Sequence, residues 1–168
     1  MNQVKKLMPQ MATSEGVWEG TYIYCDADGN EVDRHKSRLT HSFPDSHPDE
    51  YRQRNQYEWA NGRTEDLEFR FQLDAEAEKK GITQLSWETD RSYGKVWEEP
   101  LRIGDLATVR VSWHRTEIDG YIPFDVPHAT LHEIIQQRLD GGMRARTWQW
   151  FVDNDLVGRT IIKEKRIT

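Results

Sequence analysis

Two runs of strict two-residue alternation, joined by Asn61-Gly62, constrain the fold more than any other part of the chain. In the first run Tyr51, Gln53, Asn55, Tyr57 and Trp59 share one face, while Arg52, Arg54, Gln56 and Glu58 occupy the other. In the second run Leu67, Phe69, Phe71 and Leu73 alternate with Glu68, Arg70 and Gln72. A period of two belongs to a strand with one covered face and one wet face. Asn-Gly is the turn whose left-handed residues match the twist of a hairpin. The face of charges and amides must be the wet one, so the Tyr/Asn/Trp face points inward.

The rest of the chain follows the same pattern. Gly16 to Cys25 is aromatic and β-branched and ends at Asp28-Gly29, a turn. Val32 to Phe43 stops at Pro44, and the segment Pro44–Asp49 is a loop by composition. Short strands are expected at Ile82–Trp87, Tyr93–Trp97, Leu106–His114, Arg144–Val152 and Leu156–Arg166. Thr130–Asp140 is contested. Leu131, Ile134, Ile135 and Arg138 have helical spacing before Gly141-Gly142, yet Asp140-Gly141 also makes a hairpin turn into the next strand. Pairing with that strand makes Thr130–Arg138 a strand. Many short strands at hairpin spacing, with no βαβ alternation, give an all-β domain. The expected form is an up-and-down antiparallel barrel of about 8–10 strands, with a sandwich as the other solution. Residues 1–15 are expected to cap one end of the barrel domain, residues 16–168. The loop Thr116–His128, with Pro123 and Pro127 around Phe124, is placed over the mouth.

Composition narrows the function. The chain is only 36% hydrophobic but has seven Trp, six Tyr and five Phe, so its apolar material is concentrated in rings. Disordered chains are aromatic-poor, which excludes that class. A net charge of −6, with bases scattered among acids, opposes nucleic-acid binding. Asp33-Arg34-His35-Lys36 and Lys163-Glu164-Lys165-Arg166 read as solvated strand faces. One cysteine, Cys25, fits a reducing compartment, and no segment has the apolar run of a signal peptide or a spanning helix. The expected location is cytoplasmic.

Gly16-Val17-Trp18 near the start of the first strand resembles the G-x-W signature of the calycins, the superfamily of lipocalin and fatty-acid-binding-like barrels. Gly16–Thr21, Asp28-Gly29, Tyr57–Arg63, Arg144–Phe151 and Arg159-Thr160 resemble a bacterial family of single-domain calycin-like proteins of uncharacterised function. The resemblance implies a β-barrel whose Trp18 plugs the closed end under a late basic residue, Arg159 first and Arg166 second. It implies no activity. Tyr22-Ile23-Tyr24 is also similar to the tyrosine pair of phenolic acid decarboxylases, small calycin barrels that work without a cofactor.

Tyr22 and Tyr24 share a face with Trp18, and Gln53, Asn55 and Tyr57 form an inward polar row. In a solid core that row would be costly, at about 1–3 kcal/mol per unpaired group, so it points to a cavity. The expected ligand-binding set is Tyr22, Tyr24, Asn55, Tyr57, Trp87, His114, Arg146 and Trp148. Arg146, if inward, is a carboxylate anchor. The ligand is expected to be small and largely apolar, aromatic or terpenoid-like, with one acidic or carbonyl group. The alternative is a cofactor-independent lyase, isomerase or hydratase with His132 and Glu133 as acid and base, of which a strand brings one inside. His128 and His132, four residues apart on a strand, stand about 13 Å apart and cannot share an ion. No metal or cofactor is expected. The expected partner is a small hydrophobic molecule, without nucleic acid or membrane insertion, and a homodimer is left open.

Overall fold

The computed structural model describes residues 1–116, 123–124 and 126–168. After two short helices, α1 (Gln3–Leu7) and α2 (Pro9–Ala12), the chain runs through β1 (Gly16–Asp26), β2 (Glu31–Ser42), β3 (Glu50–Glu58) and β4 (Thr64–Leu73). A single helical turn, α3 (Ala75–Glu78), precedes β5 (Leu85–Glu88), β6 (Ser92–Glu98), β7 (Leu106–Arg115), β8 (Ala129–Arg138), β9 (Met143–Val152) and β10 (Asp155–Arg166). All ten strands form one closed antiparallel barrel in which each pairs with its sequence neighbours and β1 pairs with β10. The expected up-and-down barrel is the observed one. The contested segment is a strand, paired along both edges with β7 and β9.

Local chemistry accounts for the hairpins. Gly29 and Gly62 sit at φ +89° and +87°, in the turns after β1 and β3. The two-residue turn between β9 and β10 is Asp153-Asn154, with both residues left-handed at φ 49° and 72°, as a tight hairpin of the favoured hand requires.

The closing seam has its own requirement. Gly20 on β1 lies so close to β10 that a Cβ there would run into the Lys163 carbonyl and come within 2.6 Å of Glu164 Cγ. Trp18 sits at this seam, opposite Arg166, with no exposed surface. Its indole N–H donates to the Ser14 carbonyl at 2.8 Å. Two guanidiniums lie over its ring, Arg144 at 4.4 Å and Arg166 at 5.0 Å from the centroid. Arg166 therefore takes the position implied first for Arg159. On β10 the inward parity is Thr160, Ile162 and Glu164, so Arg159 falls on the outer face.

The helices close the end beside Trp18. The Asn2 amide donates to the carbonyls of Pro44, His47 and Glu50, and its oxygen caps α1 at Lys5 N. Gln10 hydrogen-bonds Glu98, Glu99 and Thr108, and Val4, Met8 and Met11 are buried in one cluster with Phe43, Tyr51, Phe71, Leu85 and Val109. The opposite end is filled on one side by Tyr24, Tyr57, Trp59, Leu131, Trp148 and Trp150, with Phe124 packed on Tyr24 and Trp150. Of the loop expected over the mouth, residues 117–122 and 125 lie outside the described residues.

Two runs of mixed charge depart from the solvated reading. His35 is 2% exposed and Glu164 is 1% exposed. Alternation explains both: each shares the inward parity of its strand, while Arg34, Lys36, Lys163 and Lys165 take the outward one. No helix among the described residues is long and apolar enough to cross a membrane.

Gly20→Ala is expected to push β1 off β10 and cost about 1–3 kcal/mol, the usual range for overpacking. Urea unfolding measures it, and an unchanged midpoint would show that the seam has slack.

Candidate functional site

The barrel is filled on one side and open on the other. A cavity of about 270 Å³ lies between the β3/β9 wall and the β4–β7 wall. Its apolar lining comes from Phe71, Trp87, Val96, Val109, Val111 and Trp113, all inward on their strands. Its floor reaches Met11 and Ser14 at the helical cap. The opening follows from a short strand. β5 has four residues and meets β4 only through Gln72↔Ser86 and Leu73↔Leu85, so Thr64–Phe71 pairs on its β3 edge alone. Glu68, the turn Thr89–Ser92 and Arg115 rim this gap.

The β3 and β9 side is polar and continuous. The Arg144 guanidinium donates to Glu164 Oε2 and, at 2.9 Å, to His41 Nε2. That leaves His41 Nδ1 to carry the proton and donate to the Tyr51 hydroxyl. Tyr51 donates to Gln53 at 2.9 Å, Gln53 to Asn55 at 2.8 Å, and Asn55 to the Tyr57 hydroxyl at 3.0 Å. Tyr57 is hydrogen-bonded to Tyr22. The Tyr22 oxygen also accepts from Arg146 at 2.9 Å. Arg146 closes the circuit through Glu133 at 2.5 Å and Glu164 at 3.3 Å. Every member is placed by the period of two: 51, 53, 55 and 57 on β3, 144 and 146 on β9.

Burial and charge set the protonation states. Burial raises the Tyr22 pKa against the pull of Arg146, so the phenol stays neutral. Burial does the same to Tyr51. His41 is held well below its usual value by burial, reinforced by Arg144, Arg146 and Arg166, and is neutral. Burial alone would raise Glu164, but Arg144 and Arg146 outweigh it and hold the carboxyl low. Burial works against the Arg146 cation, and Glu133, Tyr22 and Glu164 more than compensate. Removing one partner from such a cluster strands a buried charge.

The residues singled out in the sequence divide into three groups. Asn55, Tyr57, Trp87, Glu133, Arg146 and Trp148 border the cavity. Tyr22 and Tyr24 face inward but stand behind its wall, fully buried, with Tyr22 in the polar circuit and Tyr24 against His35 at 3.0 Å. They therefore resemble the decarboxylase pair in sequence without bordering the open space. His114 and His132 lie on the outer face, so His114 does not take the expected ligand-binding place, and of the pair His132 and Glu133 the strand brings Glu133 inside. His114 hydrogen-bonds Thr130, and His132 hydrogen-bonds Ser112 at 2.8 Å and is exposed. Trp113 and Glu133 hold the inward parity beside them. No group of three His, Cys, Asp or Glu suited to a metal occurs among the described residues.

Sequence reasoning missed His41 and Glu164, and gave Arg144 no role although it shares the parity of Arg146 and Trp148. Glu164 shares the parity of Ile162, a signal that mixed charge masked.

No protein-family model matches the chain, and no curated protein sequence matches it. The crystal structure of Rv2717c from M. tuberculosis is similar over 96% of this chain and 98% of that one, at a TM-score of 0.64 and 10% identity. A likeness at that identity shows a shared fold. The S-type phycobiliprotein lyase CPES from Guillardia theta covers 100% of this chain and 94% of its own at 10% identity, but at a TM-score of 0.48 the match is too loose to bear on the argument.

Two stability predictions follow from the polar side. Arg146→Met is expected to cost about 3–5 kcal/mol, because it leaves Glu133 and Glu164 under-compensated in the interior. Chemical denaturation reads this directly, and a loss below 1 kcal/mol (about a fivefold change in the folding constant) would mean that the cluster is already hydrated. The second concerns pH. His35 is lowered by burial to about 4, with its Nδ1 donating to the Lys36 carbonyl and its Nε2 accepting from Tyr24. Its folded pKa lies below the unfolded value of about 6.5, so its contribution is complete above that pH and is lost as pH falls towards 4. Thermal midpoints should decline across this window, and less steeply in His35→Gln. Parallel declines would remove His35 as a cause.

Proposed function

We propose that the protein is a calycin-like barrel that binds a small, largely apolar ligand, aromatic or terpenoid-like, inside the barrel. One observation carries the reading: ring and branched side chains surround an unfilled space, with the polar groups gathered on one wall. Ligand sites have this character, mostly apolar with a few placed polar groups. A core built only for stability would close such a space, because each void forfeits contacts. At about 270 Å³ the cavity is ample for a fused two-ring molecule, since a dry cavity of about 150 Å³ already takes benzene.

A second reading, a cofactor-independent lyase, isomerase or hydratase, rests on Glu133 and Tyr57, which are both among the residues that border the cavity. A carboxylate and a phenol against a bound ligand supply a proton acceptor and a donor. His132, on the outer face, has no part in it.

Trp87, Trp113 and Trp148 line the cavity, so their fluorescence reports occupancy. 2-Naphthol is expected to quench it saturably. Val111→Phe, which places a ring in the space, should weaken binding at least tenfold with the thermal midpoint kept. Equal affinity in the two proteins would place the probe elsewhere and end the reading. Native mass spectrometry of the purified protein should show a retained small molecule or uptake of the probe.

A further inference from the structure

We infer that the ligand is electrically neutral: an aromatic molecule whose head group pairs a carbonyl acceptor with an adjacent N–H or O–H donor, as in an aryl carboxamide. The inference rests on the proposed binding function and specifies the chemistry of the same cavity. An inward arginine invites a carboxylate, but this one is already taken. Arg144 and Arg146 are matched by Glu133 and Glu164 through direct hydrogen bonds, and His41 adds no charge. The buried wall therefore sums to zero. Of the remaining cations, Arg91 and Arg115 stand at the rim, balanced in number by Glu68 and Asp90, and Arg166 lies outside the cavity lining and donates to the Thr13 carbonyl.

Against this wall an anionic head would be a fifth charge beside Glu133 with no counterion left in the wall, and a cationic head would be a fifth beside Arg146. Burying an unpaired charge is far costlier than burying a hydrogen-bonded neutral group. The wall still has hydrogen-bonding capacity. Among the described residues Arg146 donates through Nε and Nη1 only, and Glu133 accepts through Oε1 only. Arg146 Nη2 and Glu133 Oε2 are left as one donor and one acceptor on neighbouring groups of the cavity wall. A carboxamide offers the complementary pair, its C=O to Nη2 and its N–H to Oε2. A carboxylate offers two acceptors and no donor, and an ammonium offers donors alone.

Three ligands of one shape test this by fluorescence titration at pH 7.5: 2-naphthamide, 2-naphthoate and 2-naphthylmethylammonium. The wild-type protein is expected to bind the amide at least tenfold more tightly than either ion. Glu133→Gln removes one negative charge from the wall, and it should raise naphthoate affinity and reverse the amide-over-acid preference. Naphthoate binding to wild type as tightly as the amide would overturn the neutral-ligand inference while leaving the binding function standing. If none of the three binds wild type and 2-naphthol also fails, the binding function falls and takes the inference with it. Should Glu133→Gln fail to fold, the wild-type ranking of the three ligands decides alone.

Discussion

The ion cluster of Glu133, Arg144, Arg146 and Glu164 is the constraint around which the interior is built. Four charged side chains at 6% exposure or less are tolerated only when each is matched by an opposite charge and by hydrogen bonds. That matching requires β8, β9 and β10 to hold one register, since Glu133 faces Trp148, Arg144 faces Glu164 and Arg146 faces Ile162 across the ladders. A slip of one residue would send every charge to the outer face and every outer lysine inside. The cluster therefore fixes the register of the last three strands more sharply than apolar residues of similar size would. Trp18, under Arg144 and Arg166, extends the same constraint to β1 and closes the barrel.

The polar circuit then divides the interior in two. On one side Tyr22, Tyr24, His35, Tyr57, Trp148 and Trp150 pack ring against ring, with Tyr22–His35 centroids 4.7 Å apart and Tyr22–Trp148 5.4 Å apart. These contacts leave no room for a guest. On the other side the strands contribute smaller residues, Val96, Val109 and Val111, and space remains. The row Gln53, Asn55, Tyr57 stands on the boundary. Each donates to or accepts from the next, so it presents a satisfied surface to the cavity rather than a set of unpaired groups. Among the described residues, asymmetry of side-chain volume makes the site.

How much of this was legible in the sequence follows from what a period of two can encode. It shows which residues share a face, and Tyr51–Trp59 and Leu67–Leu73 therefore read correctly, as did the barrel. It does not show which face is inward when both carry charge. Lys163-Glu164-Lys165-Arg166 looks uniformly wet because the charge that Glu164 pairs with, Arg144, lies twenty residues earlier. His114 and His132 were drawn towards function by residue type, whereas their strands commit the inward parity to Trp113 and Glu133. Arg159 was placed over Trp18 by resemblance, and the ladder instead puts Arg166 opposite that ring. Pairing across strands is a nonlocal fact, and a single sequence does not contain it.

The gap beside β4 is where the demands of the fold and of a site conflict. A closed barrel has no free edge, which protects it from edge-to-edge association. Here β4 keeps an unpaired stretch because β5 is too short to cover it, and Leu67 and Phe69 remain half-buried along it. Full pairing would bury these side chains and seal the cavity from solvent. The chain instead protects the edge with charge. Asp66, Glu68 and Arg70 alternate along the outer face of β4, and Glu68, Asp90, Arg91 and Arg115 ring the opening with two charges of each sign. A rim of that composition discourages a second strand from docking and gives a neutral guest no electrostatic barrier to cross. The rim thus repeats at the entrance the charge balance found in the wall, and both match what the inferred neutral ligand would require.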